Sequence, residues 1–184
     1  YASYTYGKSL IKGDSLDTKS FVQGLELKSR FRFSKKYQMF FLYNKAKGSF
    51  HDDSSSDLSF EEIMLAMDQT IYQGPNTSIF SDPKLGIGIG IYEKSLTIND
   101  KEYTKRHIPI LIAAKANMNH DIKIEFAGYA PLGNIDSFRT GELKLEYNNT
   151  DNSVISVSYS SFSSSLNDIK HCGYHYALGY KIIF

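Results

Sequence analysis

Residues 85–91 read Leu85-Gly86-Ile87-Gly88-Ile89-Gly90-Ile91, so that a branched aliphatic residue alternates with a glycine at every step. Side chains along a β-strand point to opposite faces in turn, which gives this segment one apolar face and one face without side chains. Glycines of this kind suit a face where space is scarce. Their G-x-G-x-G spacing also differs from that of a phosphate-binding loop. The pattern therefore predicts a strand.

The same alternation recurs along the whole chain. Leu25 and Leu27 alternate with Glu26 and Lys28, and a composition rich in Tyr and Phe favours strands. Turn-forming residues separate the alternating segments, and no linker or repeat divides residues 1–184, so we expect one all-β domain. The predicted segments are 1–10, 20–33, 37–48, 60–72, 84–97, 103–117, 120–130, 138–147, 153–163 and 171–184.

The fourth segment, from Ser59 to Tyr72, allows a second interpretation. Phe60 to Met67 contains helix-forming residues, and Asp57 or Ser59 is suited to cap a helix at this point. A helix here leaves nine strands rather than ten. The alternation of Ile63 and its neighbours favours the strand.

Composition excludes several classes of protein. Lys and Arg total 21 against 20 Asp and Glu, so no net field favours nucleic acid as a partner. The longest apolar run, Ile108 to Ala114, is too short for a membrane-spanning helix. The single cysteine, Cys172, excludes an internal disulfide framework and a Cys-rich zinc site. His171 and His175 lie about 13 Å apart along a strand, too far for one metal ion, and no cofactor is predicted.

Alternation alone does not tell which face of a barrel is apolar, because soluble and membrane barrels share the same period. Two features favour a membrane barrel. Charges of both signs follow one another on the polar faces, as in Glu26, Lys28 and Arg30, which suits ion pairs in a narrow lumen. Long polar connections also alternate with short ones. The predicted long outer loops are Lys8 to Ser20, Ser49 to Ser59, Leu96 to Tyr103, Pro131 to Thr140 and Ser163 to His171.

The sequence ends with Tyr180-Lys181-Ile182-Ile183-Phe184, in which aromatic or apolar residues precede a terminal Phe at every second position. This ending resembles the last strand of small Gram-negative outer-membrane β-barrels with eight to ten strands, although no specific family is indicated. The resemblance implies that Tyr180, Ile182 and Phe184 form a signal for the barrel-assembly machinery. It also implies residence in the bacterial outer membrane, contact with its lipid and lipopolysaccharide, and two periplasmic termini.

We therefore predict an antiparallel up-and-down transmembrane β-barrel of ten strands, with eight strands as the alternative. Its lumen is expected to be filled by a charge network that closes it or leaves only a narrow polar path. The residues of this network are Glu26, Lys28, Arg30, Arg32, Asp68, Lys94, Lys115, Lys123, Glu125, Glu142, Lys144, Glu146 and Lys181. Aromatic girdles are expected from Tyr37, Tyr43, Phe50, Tyr92, Tyr103, Tyr129, Tyr147 and Tyr180.

Four functional hypotheses follow. The first is a non-enzymatic surface or structural barrel whose outer loops contact a protein partner, and the second is a small ion or solute channel. The third is a hydrolase at the outer rim, using either His51 with Asp52 and Asp53, or His171 with Ser161 or Ser163. A soluble lipocalin-like binder is the fourth. The first is the prediction, and no catalytic residue or metal ligand is assigned.

Overall fold

The computed structural model describes residues 2–13, 16–50, 57–132, 138–150, 153–166 and 169–182, and every regular element among them is a strand. The segment from Ser59 to Tyr72 lies inside β4, which confirms the strand and excludes the helix. No helix in this part of the chain is long and apolar enough to cross a membrane. The strands are β1 (Ala2–Gly13), β2 (Leu16–Arg32), β3 (Tyr37–Phe50), β4 (Asp57–Gln73), β5 (Ser81–Ile98), β6 (Lys101–His107), β7 (Pro109–Asn117), β8 (Ile122–Pro131), β9 (Phe138–Thr150), β10 (Ser153–Leu166) and β11 (Ile169–Ile182).

The strands form one antiparallel sheet that closes on itself. Except at β6 and β7, each strand pairs with the next along the chain, and β1 pairs with β11 so that Tyr4 lies opposite Leu178. β6 and β7 pair with the same edge of β5 in one continuous register and are separated only at Ile108. The next residue, Pro109, has no N–H to donate, which explains the interruption. Since β6 and β7 share one position, the barrel has ten strands, as predicted.

Apolar side chains cover the outside of this barrel. On β5, Ile87, Ile89 and Ile91 are 43%, 51% and 64% exposed, while the alternate glycines face the lumen. In water such a continuous apolar surface would be strongly unfavourable, whereas it matches the interior of a bilayer. The outward apolar face therefore excludes the soluble lipocalin-like binder.

The apolar belt has the height of a membrane. On β4 the outward residues from Ile63 to Ile71 are apolar except for Gln69, and the next outward residue toward the loops is the charged Glu61. Nine residues at ~3.3 Å each, tilted by about 40°, rise about 23 Å. This value agrees with the apolar band of about 25 Å in transmembrane barrels. The two ends of the barrel are called the terminal end, where Ala2 lies near Tyr180, and the loop end opposite.

The strands continue beyond the belt at the loop end, where the sequence predicted long loops. β5 and β6 are joined by Asn99 and Asp100 alone, both with positive φ (46° and 67°), which forms a tight hairpin. Similarly, β10 and β11 pair as far as Leu166 opposite Ile169. The expected loops Leu96 to Tyr103, Ser163 to His171 and Lys8 to Ser20 are therefore mostly strand, and that expectation was wrong. Several of the charged residues there, such as Lys8, Lys12 and Lys19, occupy the outward faces of the strands.

Three of the expected girdle residues face the lumen instead of lipid. Tyr92 is 1% exposed inside the barrel, and Tyr103 and Tyr129 pack against the buried apolar clusters. Each of these tyrosines has the same phase as the lumen-facing residues of its strand. Closeness to a strand end therefore does not show which face of the barrel a tyrosine occupies. Residues that do face outward are Tyr37, Tyr43, Tyr147 and Tyr180, while nothing is described for the side chain of Phe50.

Candidate functional site in the lumen

The lumen is built in three layers, because the inward residues of successive strands fall at similar heights. A charged layer lies toward the terminal end, and an apolar plug lies toward the loop end. A polar layer of Asn44, Glu62, Tyr92, Lys94 and His175 lies between them. All of its members are nearly inaccessible to water.

Buried ion pairs organise the charged layer. Lys28 Nζ lies 2.6 Å from Glu142 Oε1 and 3.0 Å from Glu26 Oε1. The Ser3 hydroxyl donates a 2.9 Å hydrogen bond to Glu26, so that carboxylate is held from two strands. Pairing of this kind offsets the desolvation of charges inside a narrow barrel.

Glu125 is the centre of the charged layer. Its carboxylate accepts two hydrogen bonds from the Arg30 guanidinium, one of them 3.0 Å long from Nη1. Lys144 Nζ and Lys123 Nζ lie 3.4 and 3.6 Å from Glu125 Oε2. The same two lysines also contact Glu146, at 2.9 and 3.1 Å. One carboxylate therefore links side chains from β2, β8 and β9.

The thirteen predicted network residues all lie on the lumen face, but they do not form one cluster. Eight of them take part in the contacts just described, in a group of Glu26, Lys28 and Glu142 and a group of Arg30, Lys123, Glu125, Lys144 and Glu146. Asp68 instead accepts a hydrogen bond from Gln38 Nε2 at 2.8 Å. Arg32, Lys115 and Lys181 lie at the terminal mouth and form no ion pair with any described side chain.

Lys94 belongs to the polar layer rather than to the charged layer. Its Nζ lies 2.8 Å from Glu62 Oε1, and 4.3 and 5.2 Å from the ring centroids of Phe162 and Phe60. Glu62 also accepts hydrogen bonds from the Tyr92 hydroxyl (2.9 Å) and Asn44 Nδ2 (3.0 Å). Glu62 is not among the predicted network residues, although it has the same phase on β4 as Asp68.

Replacing Lys94 by methionine is expected to destabilise the barrel by about 3 kcal/mol, because it leaves the Glu62 carboxylate buried without its cation. The double variant Lys94→Met with Glu62→Gln is expected to recover most of this loss, since it removes both charges. Urea unfolding of the protein in lipid vesicles measures both values. A double variant less stable than Lys94→Met alone would contradict the assignment of this ion pair.

An apolar plug closes the lumen at the loop end. Leu96 and Ile11 are 0% exposed, and Leu58 and Leu166 are 1% exposed, although all four point into the barrel rather than into lipid. Among the described residues, these side chains therefore pack against one another rather than against a water-filled lumen. The members of the plug are Ile11, Val22, Ala46, Leu58, Phe60, Leu96, Ile98, Leu166 and Ile169, with Tyr103 against them. This plug was not predicted from the sequence, where only the charged inward residues pointed to a filled lumen.

The rim hydrolase built on His171 is contradicted. His171 is 0% exposed inside the lumen, where its Nε2 lies 2.6 Å from Ser9 Oγ and its ring lies against Phe60 and Phe162. Ser161 and Ser163 point to the outer face of β10, on the other side of the barrel wall. The alternative site, His51 with Asp52 and Asp53, lies outside the described residues. Within the described part of the chain, no three His, Cys, Asp or Glu side chains are grouped to hold a metal ion.

The assembly signal is only partly described. Tyr180 lies on the outer face of β11 and is 51% exposed, and β11 ends at Ile182. The side chain of Ile182 and the whole of Phe184 lie outside the described residues.

Comparison with known proteins gives relatives in fold alone. No protein-family model matches the chain, and no curated protein matches its sequence. Neisserial surface protein A is similar in structure, with a TM-score of 0.44 and 9% identity over 99% of this chain and 96% of that chain. The attachment invasion locus protein Ail of Yersinia pestis has a TM-score of 0.37 and 14% identity over 98% of this chain and 96% of that chain. The KdgM porin has a TM-score of 0.39 and 10% identity over 99% of each chain. The barrel type instead rests on the geometry of the sheet, which closes on itself and carries its apolar belt on the outside, and no specific family is assigned.

Proposed function

We propose that this protein is a non-enzymatic, non-conducting barrel of the bacterial outer membrane that presents its loop end to a partner at the cell surface. In this proposal both termini face the periplasm, and the barrel is embedded in outer-membrane lipid. Tyr180, Ile182 and Phe184 then act as the signal that the barrel-assembly machinery reads. The charged layer has a structural role, tying the strands together from inside.

The apolar plug is the observation that carries this proposal. A channel needs a continuous polar path, whereas the inward side chains of Leu58, Leu96 and Leu166 meet one another across the loop end. Moving a hydrated ion past these side chains would require burying its charge in apolar surroundings. The plug therefore favours a surface protein over a channel.

The extension of the strands beyond the belt supports the role in binding a partner. On β5 the outward residues change from Ile91 to Glu93, Ser95 and Thr97 before the hairpin at Asn99. A wall of paired strands that stands out of the bilayer is a rigid surface, because its backbone groups are already hydrogen-bonded. Such a surface is suited to a protein partner, whose binding costs little ordering entropy.

Single-channel recording in planar bilayers tests the proposal. The sample is refolded protein whose folding is verified by electrophoresis in SDS, where a closed barrel changes mobility on boiling. We expect no conductance steps from folded protein. Replacement of Arg30 or Glu125 by alanine is also expected to give none, because the plug remains. Reproducible steps from the unaltered protein that change with Arg30→Ala would establish the channel instead.

A further inference from the structure

We infer that β6 binds an extended segment of a protein partner, which adds to the sheet as a further antiparallel strand. β6 pairs with β5 on one side, and no described strand pairs with its other side, because β8 ends at Pro131, nearer the terminal end. The inference deepens the proposed function, since it names the part of the loop end that the partner contacts. It rests on the loop end being presented at the cell surface.

The register shows which backbone groups lie on this second side of β6. The Leu132 N–H donates a 2.9 Å hydrogen bond to the Ile108 carbonyl, on the side of the strand away from β5. In an antiparallel sheet, alternate residues of a strand turn their N–H and C=O groups to the same side. The same side is therefore reached by the backbone groups of Glu102, Thr104 and Arg106, which form the open edge. None of them has a backbone partner on this side among the described residues.

Side-chain burial shows that the open edge is accessible. Tyr103 and Lys105 of β6 point into the barrel but are only half-buried. Leu96 and Lys94, the residues opposite them on β5, are 0% and 1% exposed. The two strands differ because β5 is covered on both sides, whereas no described strand covers β6 on the side of the open edge. The three residues of the open edge are themselves exposed.

β6 is held in its extended form from both ends and from inside the barrel. Lys105 Nζ donates a 3.1 Å hydrogen bond to the Ser165 carbonyl of β10, and Tyr103 packs against the apolar plug. The tight hairpin at Asn99 and Asp100 fixes the end of β6 beyond the membrane. A strand edge with unpaired backbone groups favours addition of a further strand. Because this edge is already ordered, its binding costs little entropy.

The side chains of the open edge indicate the chemistry of the partner. Glu102, Thr104 and Arg106 place an acidic, a hydroxyl and a basic group at alternate positions on the outer face. Opposite charges and paired hydroxyl residues stabilise directly opposed positions of an antiparallel pair. Glu102 forms no ion pair with a described cation, whereas Arg106 pairs with Glu93. The partner segment therefore carries a basic residue opposite Glu102 and a hydroxyl residue opposite Thr104.

A second copy of this chain in the same membrane does not fit the open edge. Barrel strands are tilted by about 40° from the membrane normal. A two-fold axis along that normal would make two copies of β6 cross at about 80°, an angle at which strands do not pair. The occupant is therefore a segment of another protein.

A seven-residue peptide tests the inference. It has the sequence of residues 101–107, Lys-Glu-Tyr-Thr-Lys-Arg-His, and antiparallel pairing places its Arg opposite Glu102 and its Thr opposite Thr104. Fluorescence anisotropy of the labelled peptide measures its affinity for folded protein in a neutral detergent. N-methylation of the fourth residue removes an N–H that faces β6, and we expect affinity to fall by about tenfold or more. N-methylation of the fifth residue, whose N–H faces away, is the matched control and is expected to change nothing.

Two variants of the protein test the position of the added strand. Thr104→Pro removes an N–H from the open edge and none from the pairing with β5, and proline is compatible with an edge strand of this kind. We expect it to weaken peptide binding by about tenfold. Glu102→Lys is also expected to weaken binding, and a peptide with Glu as its sixth residue is expected to restore it. Glu61→Lys, on the outer face of β4 away from the open edge, is the control.

Each outcome decides the inference, provided that a mobility shift in SDS shows each variant to be folded. Failure of the unmodified peptide to bind overturns it, as do equal losses from N-methylation at the fourth and fifth residues. Dimerisation of the protein in detergent that Thr104→Pro abolishes would assign the edge to a second copy and would also overturn it. The conductance measurement is independent, because a conducting barrel that still binds the peptide would contradict only the proposed function.

Discussion

We expect Gly7→Ala to abolish the SDS-resistant barrel, and this is the largest effect that we expect from any single substitution. Gly7 lies on β1 opposite His175 of β11, at the seam where the first and last strands close the sheet. A Cβ atom at this position would lie 2.0 Å from the Tyr174 carbonyl oxygen and 2.5 Å from His175 Cα. Both atoms belong to backbone, so relief requires the two strands to separate. We expect a loss of about 3 kcal/mol or more, and no mobility shift between unboiled and boiled samples.

Gly128→Ala is the matched control for this prediction. The nearest atom to a Cβ at Gly128 is the Thr140 carbonyl oxygen at 3.6 Å, an ordinary contact. The same chemical change is therefore expected to leave the mobility shift intact. If Gly7→Ala and Gly128→Ala behave alike, close approach of the strands at Gly7 does not determine closure.

Glu125→Gln is expected to cost about 4 kcal/mol in the free energy of unfolding. The substitution removes the negative charge that contacts Arg30, Lys144 and Lys123, and it leaves three cations close together in the lumen. Removal of one partner of a buried ion pair costs about 3–5 kcal/mol, because the remaining charge loses its compensation. Urea unfolding in vesicles, followed by circular dichroism, measures the difference.

Glu93→Gln is the control for this second prediction, because it removes the same charge from an exposed ion pair instead of a buried one. Glu93 pairs with Arg106 on the outer surface, where the Arg106 side chain is 78% exposed. An exposed pair contributes about 0–1 kcal/mol, so Glu93→Gln is expected to change stability by no more than that. Addition of Arg30→Gln to Glu125→Gln should restore part of the loss by removing an unpaired cation. Equal losses from Glu125→Gln and Glu93→Gln would disprove a buried network.

The strands and the direction of their side chains could be predicted because both depend on neighbouring residues. Along β5, Ile87 and Ile89 alternate with glycine, and this pattern alone indicates that one face is apolar. The charged residues from Glu26 to Lys181 were assigned to a common face for the same reason, and they do lie on the lumen face. In a strand, odd and even positions point to opposite faces, so residues at alternate positions share a face independently of the rest of the chain.

The predicted loops show where local patterns mislead. Lys8, Lys12 and Lys19 gave the region from Lys8 to Ser20 the composition of a loop, yet they occupy the outer faces of β1 and β2. Their inward neighbours include Ile11, which is buried in the plug. Above a membrane belt the outer face of a strand meets water, so polar residues there are compatible with a strand.

The amino-acid sequence by itself determined the all-β class and the parity that separates lumen residues from lipid-facing residues, while it favoured ten strands and left eight as the alternative. Only the tertiary structure decided which inward residues meet. Closing the sheet brings Lys28 of β2 to Glu142 of β9, and places Leu58 of β4 in one cluster with Leu166 of β10. These contacts depend on the register of every strand pair and on the stagger accumulated around the ring. Alternation within a strand contains no information about register or stagger, so the charged layer and the apolar plug form only when the barrel closes.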